Sequence, residues 1–368
     1  MSVPVARRQL LSEPMRLAAT ILAVATATAL VLLLSGLRRG IVEQATAYLD
    51  HQPAVLVHQR GVENFLGADS ALPESVGARL RTLPGVEAVS PLTTVFTVIK
   101  LHGQQVALFF VGYDPGADGG PWRLAEGRAP RGDGELVLDA TIAREHRVHV
   151  GDRLDLRGRD VRVVGLSSGT AGWLSATAFL PRRTLNANLR RAETATFFLV
   201  EPQAGFAPVE LVSRINERVP GVAASTRDEL AAGDRRLYAS AFASPLLAMV
   251  AIAAFVGALV VALTIYTAVI DRRREFATLK VIGLGRRRLV ALVAAQALAV
   301  GVFGTALGVA SAFVSARLVE RAEPKYAFAI SPMLILFAVT GALVLALIAA
   351  LPPARFLDRL DPAEALRR

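Results

Sequence analysis

The sequence predicts an α-helical integral membrane protein with four transmembrane helices and an extracytoplasmic α+β domain inserted between the first and second. Three observations predict it. Residues 17–37, 237–270, 289–316 and 326–354 contain no Asp, Glu, Lys or Arg and are strongly apolar. Residues 38–236, by contrast, carry 24 basic and 23 acidic side chains and have the composition of a soluble domain. The remaining basic excess is concentrated outside the apolar stretches, on one side of the implied membrane. The chain has 368 residues, 53% of them hydrophobic, and a mean hydropathy of +0.44. Disordered, collagen-like and disulfide-scaffold classes do not have this composition. The absence of cysteine excludes disulfides, Cys-ligated zinc, iron–sulfur clusters and thiol catalysis.

The segment 1–16 carries three arginines and one glutamate and precedes the first span, 17–37. A cleaved signal peptide has an apolar region of about 7–15 residues and a small-residue cleavage site. This stretch is longer, and it ends in Leu34-Ser35-Gly36-Leu37-Arg38-Arg39, so it reads as a retained anchor. A span needs about 20 apolar residues, which all four stretches supply. An even number of spans puts both termini on the same side. Residues 1–16, 271–288 and 355–368 hold fourteen basic residues and +8 of the +10 formal charge. By the positive-inside rule they are cytoplasmic, and 38–236 and the loop 317–325 lie outside. The basicity therefore marks membrane orientation and is no nucleic-acid footprint. Phosphate-cradling loops end in Gly-Lys-Ser/Thr. The three lysines, 100, 280 and 325, follow Ile99, Leu279 and Pro324, so any ATP must be held by another polypeptide.

Within 38–236, residues 40–50 read as a helical continuation of the first span, and residues 95–101 and 105–111 flank His102-Gly103 and read as a hairpin. Strands are predicted at 53–58, 136–138, 153–156, 161–166 and 194–200, with Gly158 in a tight turn, and helices at 73–82, 141–145 and 208–218. Pro84-Gly85-Val86 and Pro220-Gly221-Val222 each follow a helix and open an apolar run. This repeated helix–turn–strand unit suggests two similar α+β lobes. His146 and His149 have a spacing that could hold a metal, but they lack a glutamate between them and sit among charged residues, as a solvated surface would. Ser167, Ser168 and Ser175 lie in no nucleophile elbow. Trp122 and Trp173 read as core or lobe-interface anchors. In the spans, Gly304-x-x-x-Gly308 and Ala19, Ala23 and Ala27 permit close helix packing. No span contains Asp, Glu, His, Lys or Arg, which argues against ion-coupled transport.

The loop 271–288 is amphipathic: Phe276, Leu279, and Ile282 or Gly283 recur at helical spacing between two Arg clusters. Residues 266–289, YTAVIDRRREFATLKVIGLGRRRL, resemble the signature of FtsX-like or MacB-type ABC transporter permeases. In that family a span runs into an Arg-Glu-(Phe/Ile)-x-x-Leu-(Lys/Arg)-x-x-Gly segment. The tail Leu360-Asp361-Pro362-Ala363-Glu364-Ala365-Leu366-Arg367 and the segment 134–166 resemble further parts of it. Ser70-Ala71-Leu72-Pro73 and the domain size are similar to the DevC-like subgroup. The resemblance implies a non-catalytic permease homodimer in the cell membrane, without a cofactor of its own, driven by a separate cytoplasmic ATPase that binds ATP and Mg. It places Arg273, Glu275, Phe276, Leu279, Lys280 and Gly283 on the helix that docks the ATPase. It further implies mechanotransmission to the exported domain and export of a hydrophobic or amphiphilic substrate, with an extracytoplasmic adaptor as a possible partner. The alternative within the family is a signalling module that activates a cell-wall hydrolase without transport.

Overall fold

A computed structural model describes residues 14–156, 158–172, 176–190, 194–271, 286–323 and 325–349. The chain divides into two units, one formed by Gly40–Ala241 with Glu323–Tyr326, the other by the remaining helices.

The first helix, α1, spans Pro14–Gln44. After it come β1 (Val55–Gln59), β2 (Leu72–Pro73), α2 (Glu74–Arg81), β3 (Val86–Leu101) and β4 (Gln104–Tyr113). Next are β5 (Leu124–Gly127), β6 (Glu135–Asp139), α3 (Ala140–Glu145), β7 (Arg153–Asp155) and β8 (Asp160–Ser167). The domain ends with β9 (Ala176–Pro181), α4 (Arg182–Leu189), β10 (Thr194–Ala195), β11 (Phe197–Pro202), α5 (Pro208–Arg218) and β12 (Val222–Thr226). Three more helices follow: α6 (Arg227–Asp271), α7 (Arg286–Ala322) and α8 (Pro332–Ala349).

One mixed sheet runs through the exported domain in the order β12-β1-β11-β3-β4-β9-β6-β8-β5, with β7 paired to β8. Its first half, β12-β1-β11-β3, is antiparallel throughout and is crossed by α2 and α5. Two split β-α-β arms, β1-α2-β3 and β11-α5-β12, interleave there as in a ferredoxin-like sheet. Val76 and Leu80 of α2 share one buried cluster with Leu211 and Ile215 of α5 and with Val55, Val57, Phe198 and Val200 of the sheet. Gly85 and Gly221 (φ +97° and +85°) make the helix-to-strand turns in the left-handed region that glycine adopts without strain. The two helix–turn–strand units therefore lie side by side in one half of the sheet, correcting the expectation that each founds its own lobe. Their shared apolar stripes need each other's cover.

The second half is an insertion between β3 and β11. Leu108, Phe110, Leu136, Leu138, Val163 and Leu180 form its core under α3 and α4. The β3–β4 hairpin is longer than expected, pairing Leu92 with Tyr113 at one end and Leu101 with Gln104 at the other. Gly158 (φ +84°) turns β7 into β8.

The membrane helices outrun the apolar stretches. Helix α1 continues past residue 37 to Gln44, and α6 starts at Arg227, ahead of the expected 237. Helix α7 runs to Ala322, through most of the expected external loop, whereas α8 starts only at Pro332. Among the described residues two helices, Leu17–Gln44 and Ala297–Ala322, are by themselves long and apolar enough to cross a membrane. Helix α6 adds a third if the segments on either side of Pro245 form one span. The shorter apolar helix α8 ends where the expected fourth span, 326–354, passes beyond the described residues.

Candidate functional site

The exported domain is built around the ends of two long helices. At the end of α1 and just beyond it, Ile41, Ala45, Tyr48 and Leu49 are buried at helical spacing. Tyr48 stacks on Phe65 at 5.1 Å between ring centroids and donates its hydroxyl to the Gly119 carbonyl at 3.0 Å. At the other entry, Thr226 and Glu229 cap α6 reciprocally. The Thr226 amide donates to Glu229 Oε2 at 2.8 Å, and the Glu229 amide donates to Thr226 Oγ1 at 3.2 Å. This capping box supplies partners for two otherwise orphaned amides and starts the helix inside the domain. Leu230 and Ala231 then enter the same buried cluster as Tyr48, Leu49 and Phe65.

The contact with α6 is tightest at Gly233 and Asp234. A Cβ on Gly233 would lie 1.8 Å from the Glu63 carbonyl oxygen, so only glycine lets this loop approach. Asp234 Oδ1 accepts the Phe65 and Leu66 amides at 3.0 and 2.9 Å. The loop 62–66 thus grips the helix through its backbone on one side and Phe65 on the other. We refer to this as the joint.

A second set of close approaches lies within the helical unit. Gly304 and Gly308 of α7 face α1: a Cβ on Gly304 would lie 2.6 Å from Val24 Cβ, and one on Gly308 2.7 Å from the Ala25 carbonyl oxygen. These two glycines pack one helix of this chain against another. Gly257 of α6 meets Ala27 of α1 at 2.5 Å by the same measure. Small residues allow such backbone approach, which is what joins helices in lipid. An apolar groove of about 740 Å³ runs between α1 and α6, lined by Ala23, Ala27, Leu30, Met249, Ile252 and Val256. The short connection between α7 and α8 carries Lys325, whose Nζ pairs with Glu323 at 3.2 Å and Glu145 of α3 at 3.7 Å.

Arg273, Glu275, Phe276, Leu279, Lys280 and Gly283, like the tail 355–368, lie outside the described residues. The other sequence candidates are placed as follows. The His146 carbonyl accepts from His102, and exposed His149 is 3.8 Å from Asp152. Among the described residues, no group of three or more His, Asp or Glu is arranged to hold a metal ion. Ser167 is fully buried and bonded to Thr170, which donates to Asp139; Ser168 accepts from Arg123 at 2.8 Å. Trp122 packs against the cluster of Tyr48 and Phe179 and stacks on His51 at 4.6 Å, while Trp173 lies outside the described residues. Gly233 and Asp234 were not legible as a contact, because nothing local distinguishes them. The capping box also went unread, although its signal, Thr-x-x-Glu directly before an alanine-rich run, is present in the sequence.

Comparison with known proteins matches the MacB-like periplasmic core domain to residues 17–218, more than half of the chain, and the FtsX-like permease C-terminal region to residues 247–362. An uncharacterized ABC transporter permease of Mycobacterium tuberculosis is 27% identical over 355 residues, covering 95% of each chain. Another, of Mycobacterium bovis, is 26% identical over 365 residues, again covering 95% of each. The crystal structure of the periplasmic region of MacB from Actinobacillus actinomycetemcomitans aligns with 48% of this chain and 90% of its own, at 14% identity and a TM-score of 0.37.

Proposed function

The chain belongs to the MacB-like and FtsX-like family of ABC transporter permeases, and from that premise we propose that it is the mechanotransmitting subunit of an exporter. One observation carries the reading: Tyr48 and Leu49, in the segment that continues α1, and Leu230 and Ala231, in the first turns of α6, are buried in a single cluster of the exported domain, around Phe65. Helices anchored in this way pass displacement to the sheet, because a close-packed core shifts as a body rather than yielding locally.

In this reading both termini and the loop 271–288 are cytoplasmic, as their basic excess supports. A separate ATPase holds ATP and Mg and docks on that loop. Phe276 and Leu279 fill a groove on it, while Arg273, Glu275 and Lys280 set orientation and Gly283 permits the turn into the next helix. The permease pairs with a second copy across the α1–α6 groove. ATP-driven closure then moves the helices and reshapes the domain, expelling a hydrophobic or amphiphilic substrate. The absence of Asp, Glu, His, Lys and Arg from 237–270, 289–316 and 326–354 supports an external motor over ion coupling.

The test is to inactivate the catalytic carboxylate of the ATPase that copurifies with the chain. Sensitivity to lipophilic toxins is expected to rise as in a deletion strain. Unchanged export would overturn the reading. A cell-chaining defect with unchanged toxin sensitivity would replace it with the cell-wall-hydrolase alternative.

A further inference from the structure

The joint contains a charged group that a purely mechanical linkage does not need. Asp234 is completely buried, in a helix whose neighbouring turn, Leu230 and Ala231, packs into an apolar cluster. Its Oδ1 accepts two backbone amides, and its Oδ2 has no hydrogen-bond partner. Among the described residues no cation pairs with it. The loop 62–66 presents Glu63 through its backbone carbonyl, beside Gly233. Helix α6 itself places Tyr238 one turn further on, close enough to feel the carboxylate, and the α1 extension contributes Tyr48 to the adjoining cluster. Two neutral donors on one oxygen do not compensate a carboxylate for the loss of water on the other. Burial accordingly pushes Asp234 up to about 7, against the opposing pull of the Leu66 and Phe65 amides.

We propose that Asp234 is a proton-operated latch: protonated, it keeps the loop 62–66 closed on the stalk of α6, and ionised, it favours release. The consequence for transport rests on the reading of the domain as a driven element, but the latch itself does not. The direction follows from linkage. When the loop parts from the helix, the carboxyl meets water and returns to the ordinary Asp value of about 3.9. Because the closed state holds the proton more tightly, closure is favoured at low pH and is lost as pH rises through about 7. Between pH 5.5 and 8.0 the opening equilibrium should rise roughly thirtyfold, most of it below pH 7. Outward acidification would thus stiffen the connection between the second membrane helix and the domain, and alkaline conditions would loosen it.

Hydrogen exchange of the full chain in lipid nanodiscs tests this. The readout is protection of residues 62–68, corrected for the intrinsic pH dependence of exchange. Wild type is expected to lose roughly thirtyfold in protection from pH 5.5 to 8.0. Asp234→Asn keeps an acceptor for the two amides but cannot ionise, so its profile should be flat, whereas Tyr238→Phe should retain the slope. A flat wild-type profile would overturn the latch, as would a slope that survives in Asp234→Asn. The wild-type titration decides even if the Asn variant does not fold. No ATPase is needed, so failure here leaves the permease reading intact, and failure of ATPase copurification leaves the latch intact.

Discussion

Replacing Gly233 by alanine puts two effects of opposite sign in competition. In a helix interior, Gly→Ala normally stabilises by about 1 kcal/mol, because alanine loses less backbone freedom. Here the new Cβ would stand 1.8 Å from the Glu63 carbonyl oxygen and 2.9 Å from its carbonyl carbon. Carbon and oxygen in contact sit about 3.3 Å apart, so the loop must withdraw by roughly 1.5 Å. The Phe65 and Leu66 amides, now 3.0 and 2.9 Å from Asp234 Oδ1, would move out of hydrogen-bonding range. Losing two such bonds costs about 1–3 kcal/mol each, and overpacking adds about 1–3 kcal/mol. Set against the propensity gain, a net loss of at least about 2 kcal/mol is expected even at the low end of each range. In a domain of this size each kcal/mol moves Tm by about 2–4 °C, so Tm should fall by at least roughly 4–8 °C. The assay is tryptophan fluorescence during heating of the full chain in detergent. Both tryptophans, Trp122 and Trp173, lie in the exported segment, so the signal follows the domain rather than the membrane helices. A rise in Tm of roughly 2–4 °C, which propensity alone would give, would refute the close approach at Gly233.

Three other substitutions probe separate features. Gly308→Leu should force α1 and α7 apart and sharply reduce the monodisperse fraction after detergent extraction. Gly341→Leu is the control, since a Cβ there meets nothing within 4 Å, and equal loss in both would contradict the seam. Arg128 holds the Glu135 carboxyl at about 2 through a side-chain hydrogen bond, so this pair stabilises the domain fully above about pH 4.5 and the contribution disappears as pH falls through about 2. Arg128→Ala should therefore move the acid-unfolding midpoint to higher pH, and an unchanged midpoint would discount the pair. Asn216 closes the outer edge of β12 by donating to the Ala224 carbonyl at 3.2 Å and accepting its amide at 2.7 Å. Asn216→Ala should cost about 1–2 kcal/mol and promote further self-association through the freed strand edge; a variant with wild-type oligomeric state and native stability would exclude that role.

The limits of legibility have physical causes. Helix α5 was readable because Val209, Val212, Ile215 and Val219 suggested a stripe, and its bounds coincide with the expected 208–218, although the structure leaves Val209 exposed and buries Leu211 instead. The segment β9–α4 went unread: Ala176–Pro181 is buried throughout and offers no alternation, and α4 carries Arg182 on its buried face. That arginine is stable there because Glu74 and Asp114, distant in sequence, pair with it at 2.6 and 3.2 Å. The continuation of the first span into 40–50 was legible, and α1 reaches Gln44; hydropathy placed the start of α6 only at 237, whereas the Thr226–Glu229 cap fixes its true start. The Gly304 and Gly308 spacing announced close packing without naming α1 as the partner. Gly233 and Asp234 acquire meaning only when the loop 62–66 is folded over them.

Crosslinking at Leu279 tests whether a separate ATPase drives this chain through the loop 271–288. The chain contains no cysteine, so Leu279→Cys provides a unique attachment point for a photoactivatable maleimide. In native membranes the account predicts a crosslinked product containing an ABC ATPase, weakened by Glu275→Ala in the same chain. Labelling that yields lipid adducts and no ATPase, with Glu275→Ala without effect, would contradict it.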